Sequence, residues 1–304
     1  MLLAAGRGER MEPLSSFVAK PALEVLGVPL LTSSLANLRR AGCGEIVVNL
    51  HRHPDQVEAA ARAAAGARIA FSREPRLLGG AGGVAAARRL LGDGAVLLGN
   101  ADVWGELDLD AVVASRDDGA ATLALLPHPD PERWSSVVLE RDGRVRELLP
   151  PGARGAGEPF LFTGFQLLGR GVVAALPEPP CEMAVVWNDL RRSGRLRGAI
   201  VTGEWREAGT PAAYRDLVVG ALGLSSWVHP DATVESGSRV ERSAVGAGCG
   251  VAAGAAVERC VVTAGARVDA GATLTDCVVA GPVRVGRETI AGALLVPGRR
   301  APLT

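Results

Sequence analysis

The sequence predicts an α/β fold, with a Rossmann-like mixed, mostly parallel sheet flanked by helices, followed by a short left-handed β-helix. Strand-like and helix-like patches alternate over the first 220 or so residues, and beyond Tyr214 one pattern recurs every 17 residues. Alternation of strands with helices is the pattern of a sheet covered on both faces. A fixed short period is the pattern of a solenoid. At 304 residues the chain also exceeds the size at which one core stops growing. The division is expected to give a first domain over 1–222 and a β-helix over 227–297.

Leu2 to Ala5 is a short apolar run that stops at glycine. Leu31 to Ala41 carries leucines at 31, 35 and 38, which is helical spacing, and Gly42 is placed to end it. Ile46 to Leu50 reads as a buried strand, and Asp55 to Ala65 as a helix with Pro54 in its first turn. Ile69 to Ser72 and Ala95 to Leu98 read as further strands, with a helix over 84–91 between them. Val137–Glu140 and Arg144–Leu148 flank Asp142-Gly143, a hairpin turn pair, so the sheet is expected to become mixed there.

The segment 220–226 (GALGLSS) reads as a linker. Beyond it Val234, Val251, Val268 and Val285 recur in register. A second aliphatic follows at Val240, Val257 and Leu274, and a third at Val245, Val262 and Val279. Steps of six, six and five residues with one aliphatic each describe a three-sided coil with an aliphatic interior. Glycine and alanine are expected at the corners. Ser243, Cys260 and Cys277 are expected to stack in one column as small core residues. The outer faces suit pairing between subunits, so a homo-oligomer is expected.

Composition narrows the function. Hydrophobic residues make up 48% and charged residues 22%, a globular balance. Lys plus Arg and Asp plus Glu both number 33, so nothing suggests a nucleic-acid partner. Five cysteines occur without a CxxC pair and histidine is scarce, which argues against a structural zinc site, and nothing suggests a disulfide framework. The opening MLLAAGRGER is too short an apolar run for a signal peptide or membrane span. A cytoplasmic protein without a membrane partner is expected. Met1 begins almost inside the first strand, which points to a start upstream.

The chemistry is concentrated at the start. Leu3-Ala4-Ala5-Gly6-Arg7-Gly8 takes a strand into a glycine loop, where backbone N–H groups can approach phosphate. Arg10 and Lys20 add positive charge beside it. No Gly-Lys-Ser/Thr follows, so this is not a Walker loop.

Taken with Pro13-Leu14-Ser15, Lys20-Pro21 and Val25–Leu30, this opening resembles the signature of the sugar-nucleotide pyrophosphorylases. Within that family the chain is most similar to the mannose-1-phosphate guanylyltransferase-like branch. Leu78-Gly79-Gly80-Ala81-Gly82-Gly83 resembles the family's nucleotide-binding turn. Asn100-Ala101-Asp102 stands where the family places a metal-binding aspartate. Phe162-Thr163-Gly164 resembles its sugar-lining segment, and Trp205 to Pro211 resembles the segment that brings a second metal ligand. A hexapeptide β-helix behind the first domain is common in the family.

The resemblance implies that a sugar-1-phosphate oxygen attacks the α-phosphorus of an NTP in line and that pyrophosphate leaves. Positioning and charge neutralisation supply most of such catalysis. Catalytic roles fall to Arg10, against the departing phosphates, to Lys20, between the α-phosphate and the sugar phosphate, and to Asp102. Leu3, Ala4, Ala5, Gly6, Gly8, Arg10, Gly79, Gly80 and Ala81 would bind the nucleotide. Asn100, Thr163 and Gly164 would meet the sugar phosphate. Asp102 and Glu207 would hold Mg²⁺.

Ala19, Gly80 and Glu207 depart from the family's proline, threonine and aspartate, and no Glu-Lys-Pro occurs between 145 and 160. These departures leave room for a weakly catalytic, sugar-nucleotide-sensing paralogue. Substrates lean to GTP with mannose 1-phosphate, by branch only; dTTP or UTP with glucose 1-phosphate stays open. His51 and His53 read as local hydrogen-bonding groups, and Trp187 and Trp205 as packing residues. The arginine pairs 39–40, 88–89 and 191–192 are expected to face water.

Overall fold

A computed structural model describes residues 1–64, 66 and 68–304. It contains two compact units: Met1–Arg7 with Leu31–Trp205, and Gly8–Leu30 with Arg206–Thr304.

The first unit is built on a nine-stranded sheet. Its strands are β1 (Leu2–Leu3), β2 (Glu45–Leu50), β3 (Arg68–Arg73), β4 (Val96–Asn100) and β5 (Ala121–Pro127). Then come β6 (Ser136–Leu139), β7 (Val145–Leu149), β8 (Pro159–Leu168) and β9 (Leu196–Ile200). Along the sheet they run β7-β6-β8-β4-β1-β2-β3, with β5 on the other edge of β8 and β9 beside β5. The strands β4, β1, β2 and β3 are parallel. The sheet turns mixed at β8, whose second half runs antiparallel to β4 and whose first half runs antiparallel to β6. Strands β6 and β7 form the hairpin expected from Asp142-Gly143.

The helices are α1 (Leu30–Arg40), α2 (Pro54–Ala63), α3 (Gly79–Leu91), α4 (Asp110–Ala114), α5 (Arg170–Ala174), α6 (Met183–Arg192) and α7 (Pro211–Leu222). The expected end of the second helix at 65 falls outside the described residues. Ala81, Val84 and Ala87 of α3 share one core with Val47, Leu98, Leu123, Val172 and Val186. Burial of each valine or leucine side chain among them contributes about 1.5–3 kcal/mol.

Helix α3 starts at Gly79, five residues before the helix expected from Val84. Glycine disfavours a helix by about 1 kcal/mol relative to alanine, so its first turn looked like a loop. Packing overrides that propensity. A Cβ on Gly83 would stand 2.7 Å from Glu74 Oε1 and 2.8 Å from Asn49 Nδ2, so only glycine admits that pair of side chains. Arg88, expected to face water, instead donates through Nε to the Val173 carbonyl at 3.0 Å.

In the second unit, residues 8–30 form three 3-10 turns and a small hairpin, Glu24–Val25 with Val28–Pro29. Helix α7 opens on Thr210, whose hydroxyl accepts from the Ala213 N–H, with Pro211 next. Its buried Tyr214 hydroxyl donates to the Glu24 carbonyl at 2.6 Å. The helix absorbs 220–222, so the connection to the coil is shorter than the expected linker.

The coil stacks parallel strands on three sides. Thr233–Val234, Gly250–Val251, Arg267–Val268 and Arg284–Val285 form one side, each 17 residues from the last. Val251, Val268 and Val285 are at most 2% exposed, whereas Val234 in the first coil is 38% exposed. An antiparallel strand, Arg299–Pro302 on Ala293–Val296, closes the last coil. Ser243, Cys260 and Cys277 do stack: Ser243 Oγ accepts from the Cys260 N–H at 3.0 Å, and Cys260 Sγ from the Cys277 N–H at 3.2 Å.

The corners depart from expectation on one side. Arg242, Arg259 and Asp276 adopt left-handed backbone, with φ of 46°, 48° and 54°, where glycine would be easier. Their side chains explain the choice of two of them. Arg259 pairs with Asp276 one coil on, and Arg215 of α7 reaches the same carboxylate at 3.1 Å. The Arg259 guanidinium holds the Asp276 carboxyl below its usual range.

Candidate active site

In the second unit three expected site residues meet. Arg10 lies on the 3-10 turn Glu9–Met11, Lys20 opens the turn Lys20–Ala22, and Glu207 sits on the two-residue strand Arg206–Glu207. Glu207 Oε1 accepts from Arg10 Nη2 at 2.9 Å and lies 3.7 Å from Lys20 Nζ. The Lys20 and Glu207 side chains are only 13% and 16% exposed, while Arg10 is 68% exposed. Lys20 is therefore held in a sheltered ion pair, with Arg10 presented to solvent. A Cβ on Gly209 would come within 3.0 Å of Glu207 Oε1 and 3.3 Å of Arg10 Nη1, so this glycine keeps room for the cluster. The Ser15 hydroxyl donates to the Gly8 carbonyl at 2.9 Å, fixing the glycine, whose φ is +64°.

In the first unit the loop after β1 is held from below. Ala4 N–H donates to Asn49 Oδ1 at 2.7 Å, and Asn49 Nδ2 donates to Glu74 Oε1 at 2.7 Å. Glu74 Oε2 in turn accepts from the Leu78 N–H at 3.2 Å. Asn49 and Glu74 are both under 5% exposed. Two side chains thus couple the Leu3-Ala4-Ala5 segment to Gly79 and Gly80 at the head of α3. Ala81 turns into the core, so only its backbone can serve a ligand. Gly6 has open space where a side chain would be, so no protein atom forces a glycine there. The His51 ring bonds the Glu74 carbonyl at 2.9 Å, which accounts for it locally.

Asp102 sits half-buried on the turn after β4. Helix α1 staples this turn and the residues just beyond it. The Ser34 hydroxyl bonds the Asn100 carbonyl at 2.7 Å, while Ser33 Oγ and Asn37 Nδ2 both donate to the Gly105 carbonyl at 2.9 Å. Asn100 and Gly164 are brought together. Gly164 has φ +90°, and a Cβ there would stand 3.1 Å from Asn100 Nδ2. Thr163 is buried, its hydroxyl bonding the Ala124 carbonyl at 3.0 Å, and its own carbonyl accepts from Trp205 Nε1 at 2.9 Å. Trp205 is therefore a hydrogen-bonding residue as well as a packing one.

Asn49, Glu74, Ser34 and Asn37 were not singled out from the sequence. Asn49 carried a signal: it is the one polar residue in the apolar run Ile46–Leu50.

The carboxylates of Asp102 and of Glu207, each within its own unit, are donors of the kind Mg²⁺ takes. Asp102 and Glu207 are hard oxygen ligands, and among the described residues no group of three Asp, Glu, His or Cys forms a preformed cage. Mg²⁺ characteristically keeps waters and takes one or two carboxylates together with substrate phosphates. Among the described residues no helix is long and apolar enough to cross a membrane.

Comparison with known proteins agrees with this chemistry. Residues 1–218 match the nucleotidyl transferase family, and residues 220–296 match the GlmU-like C-terminal hexapeptide family. An N-acetylmuramate α-1-phosphate uridylyltransferase of Neisseria meningitidis is 36% identical over 231 residues, 71% of this chain and 95% of that protein. Its counterpart from Caulobacter vibrioides is 34% identical over 229 residues, 70% of this chain and 92% of that protein. A mannose-1-phosphate guanylyltransferase of Mycobacterium tuberculosis is 27% identical, over 76% of this chain and 65% of that protein. The crystal structure of HddC from Yersinia pseudotuberculosis shares the fold, with TM-score 0.63 and 20% identity over 72% of this chain and 97% of that one. The chain belongs to the nucleotidyl transferase family and is an enzyme of that family.

Proposed function

We propose that the chain transfers a uridylyl group from UTP to an N-acetylated amino-sugar 1-phosphate, N-acetylmuramate 1-phosphate first among them, releasing pyrophosphate. The observation that carries the reading is the sheltered Lys20–Glu207 pair with Arg10 beside it, inside a chain that matches the family from residue 1 to 218. The substrate pair rests on the two uridylyltransferases at 34% and 36% identity. GTP with mannose 1-phosphate has weaker support, at 27%.

In this reading Lys20 neutralises charge at the α-phosphate and the attacking sugar phosphate. Its ion pair fixes the ammonium before substrate arrives, which is the preorganisation such transfer needs. Arg10, exposed beside this pair, meets the departing phosphates. Ala4, Ala5, Gly6, Gly8, Gly79 and Gly80 offer backbone to the nucleotide, and Asn49 and Glu74 keep two of those segments in place. Asn100 and Gly164 line the sugar, with Thr163 buried behind them. Asp102 and Glu207 are the proposed donors to Mg²⁺, which when bound supplies charge neutralisation on the phosphates.

The test is pyrophosphate release by the purified protein with Mg²⁺, across four NTPs and a panel of sugar 1-phosphates. Turnover with UTP and N-acetylmuramate 1-phosphate is expected. Turnover only with another pair overturns the substrate assignment. No turnover at all, with tight binding of a finished nucleotide sugar, overturns the enzyme reading in favour of a sensor.

A further inference from the structure

The loop between β5 and β6 has no role in the transfer just described, yet it is built with care. Asp130 Oδ1 accepts from the Glu132 N–H at 3.2 Å, and the Asp130 carbonyl accepts from the Arg133 and Trp134 N–H groups, each at 3.2 Å. The His128 ring bonds the Ser135 carbonyl at 3.1 Å, and the Pro131 carbonyl accepts from Gly152 N–H at 2.9 Å. The loop is therefore ordered by its own bonds.

It presents a chain of rings and a cation toward the sugar-lining segment. The Arg133 guanidinium lies over the Trp134 ring, 4.5 Å from its centroid. Trp134 meets Trp205 edge to face, with centroids 5.4 Å apart and planes at 83°. Trp205 Nε1 donates to the Thr163 carbonyl at 2.9 Å. Arg133 is exposed and forms no ion pair among the described residues. A guanidinium laid on an indole is oriented without being neutralised, so its fork of N–H donors stays available. That fork matches a carboxylate, through two parallel hydrogen bonds.

We propose that Arg133, oriented by Trp134 and Trp205, is a recognition site for a carboxylate carried by the sugar. The inference rests on the substrate class named above, because N-acetylmuramate differs from N-acetylglucosamine by a lactyl ether that ends in a carboxylate. Arg133 selects for the acidic sugar, while the groups around Asn100, Thr163 and Gly164 meet what the two sugars share.

The experiment measures kcat/KM with UTP for N-acetylmuramate 1-phosphate and for N-acetylglucosamine 1-phosphate, in the wild type, Arg133→Ala and Arg133→Lys. The acidic-to-neutral ratio is expected to fall by about 10- to 100-fold in Arg133→Ala, as loss of a charge-assisted bidentate contact implies. Arg133→Lys keeps the charge without the fork and is expected to fall between. An unchanged ratio with both sugars slowed equally overturns the inference and assigns Arg133 to the phosphate they share. A wild type that turns over both sugars equally well also overturns it, with the uridylyltransferase reading intact. A wild type that turns over neither sugar with UTP, while using another NTP and sugar, defeats that reading and the inference with it.

Discussion

The coil of 227–302 and the loops that carry the candidate site are stabilised by opposite kinds of contact. In the coil each residue's environment is set by its place in a repeat, and its nearest partners lie 16 or 17 residues away. Val251, Val268 and Val285 are interchangeable in role, and each is almost fully buried. Around the site no two positions are alike. Ala4 is held by Asn49, 45 residues on, and Ser34 holds Asn100, 66 residues on. Repetition writes structure where local sequence can be read, whereas the site depends on single polar side chains whose partners are distant.

That contrast sets the expected effects of mutation. The largest is kinetic. Lys20→Ala is expected to lower kcat for pyrophosphate release by about 10²–10³-fold, the scale for losing one preorganised charge-stabilising group. Steady-state kinetics beside a melting curve would show the loss without unfolding. A rise in KM with kcat unchanged would place Lys20 in ground-state binding instead.

Next comes a coil core residue. Leu274 is fully buried, so Leu274→Ala is expected to cost about 2–5 kcal/mol in urea unfolding while kcat stays near wild type. Val234→Ala serves as its control. At 38% exposed, Val234 is expected to cost distinctly less, about 0.5 kcal/mol. Equal costs would mean that the first coil is covered in solution.

Glu74→Gln is expected to sit between the two behaviours. Glutamine keeps one acceptor but sets an NH2 donor against Asn49 Nδ2 or the Leu78 N–H, so one bond of the buried bridge is lost, at about 1–3 kcal/mol. Because the bridge holds two segments proposed to bind the nucleotide, KM for the NTP is expected to rise more than KM for the sugar phosphate. Equal change in both would reduce Glu74 to a stability residue.

The smallest effect is at the coil corner. The Asp276 carboxyl is held below its usual range first by its hydrogen bond to Arg259. A depressed folded pKa adds stability above the unfolded value and loses it as pH falls through the folded one. Asp276→Asn is therefore expected to cost up to about 1 kcal/mol at pH 7, because the pair is partly exposed, and to converge with wild type below about pH 4. A gap that persists in acid would trace the cost to lost geometry.

Much of the fold was legible in the sequence for the reason the comparison gives. The aliphatic triplets dictated three-sided coils, and Asp142-Gly143 between two apolar runs dictated the hairpin. The start of α3 was not legible, because four glycines in five residues argue against a helix until Glu74 and Cys181 are seen to occupy the space that side chains would fill. The Arg259 and Asp276 corners were hidden likewise, since their left-handed backbone is favoured by an ion pair across coils. At the site, Arg10, Lys20 and Glu207 could be named from sequence, but not that one carboxylate oxygen of Glu207 faces both cations. Asn49 alone gave a visible warning, as an amide inside a buried strand.

Displacement of pyrophosphate from the α-phosphorus of a nucleotide by a sugar-phosphate oxygen leaves an isotopic signature. The experiment uses sugar 1-phosphate carrying ¹⁸O at its non-bridging phosphate oxygens, incubated with UTP, Mg²⁺ and the enzyme, and reads the products by mass spectrometry. All the label is expected to stay in the nucleotide sugar, with the pyrophosphate unlabelled. Label in pyrophosphate or inorganic phosphate, or no nucleotide sugar from any NTP, would contradict that chemistry.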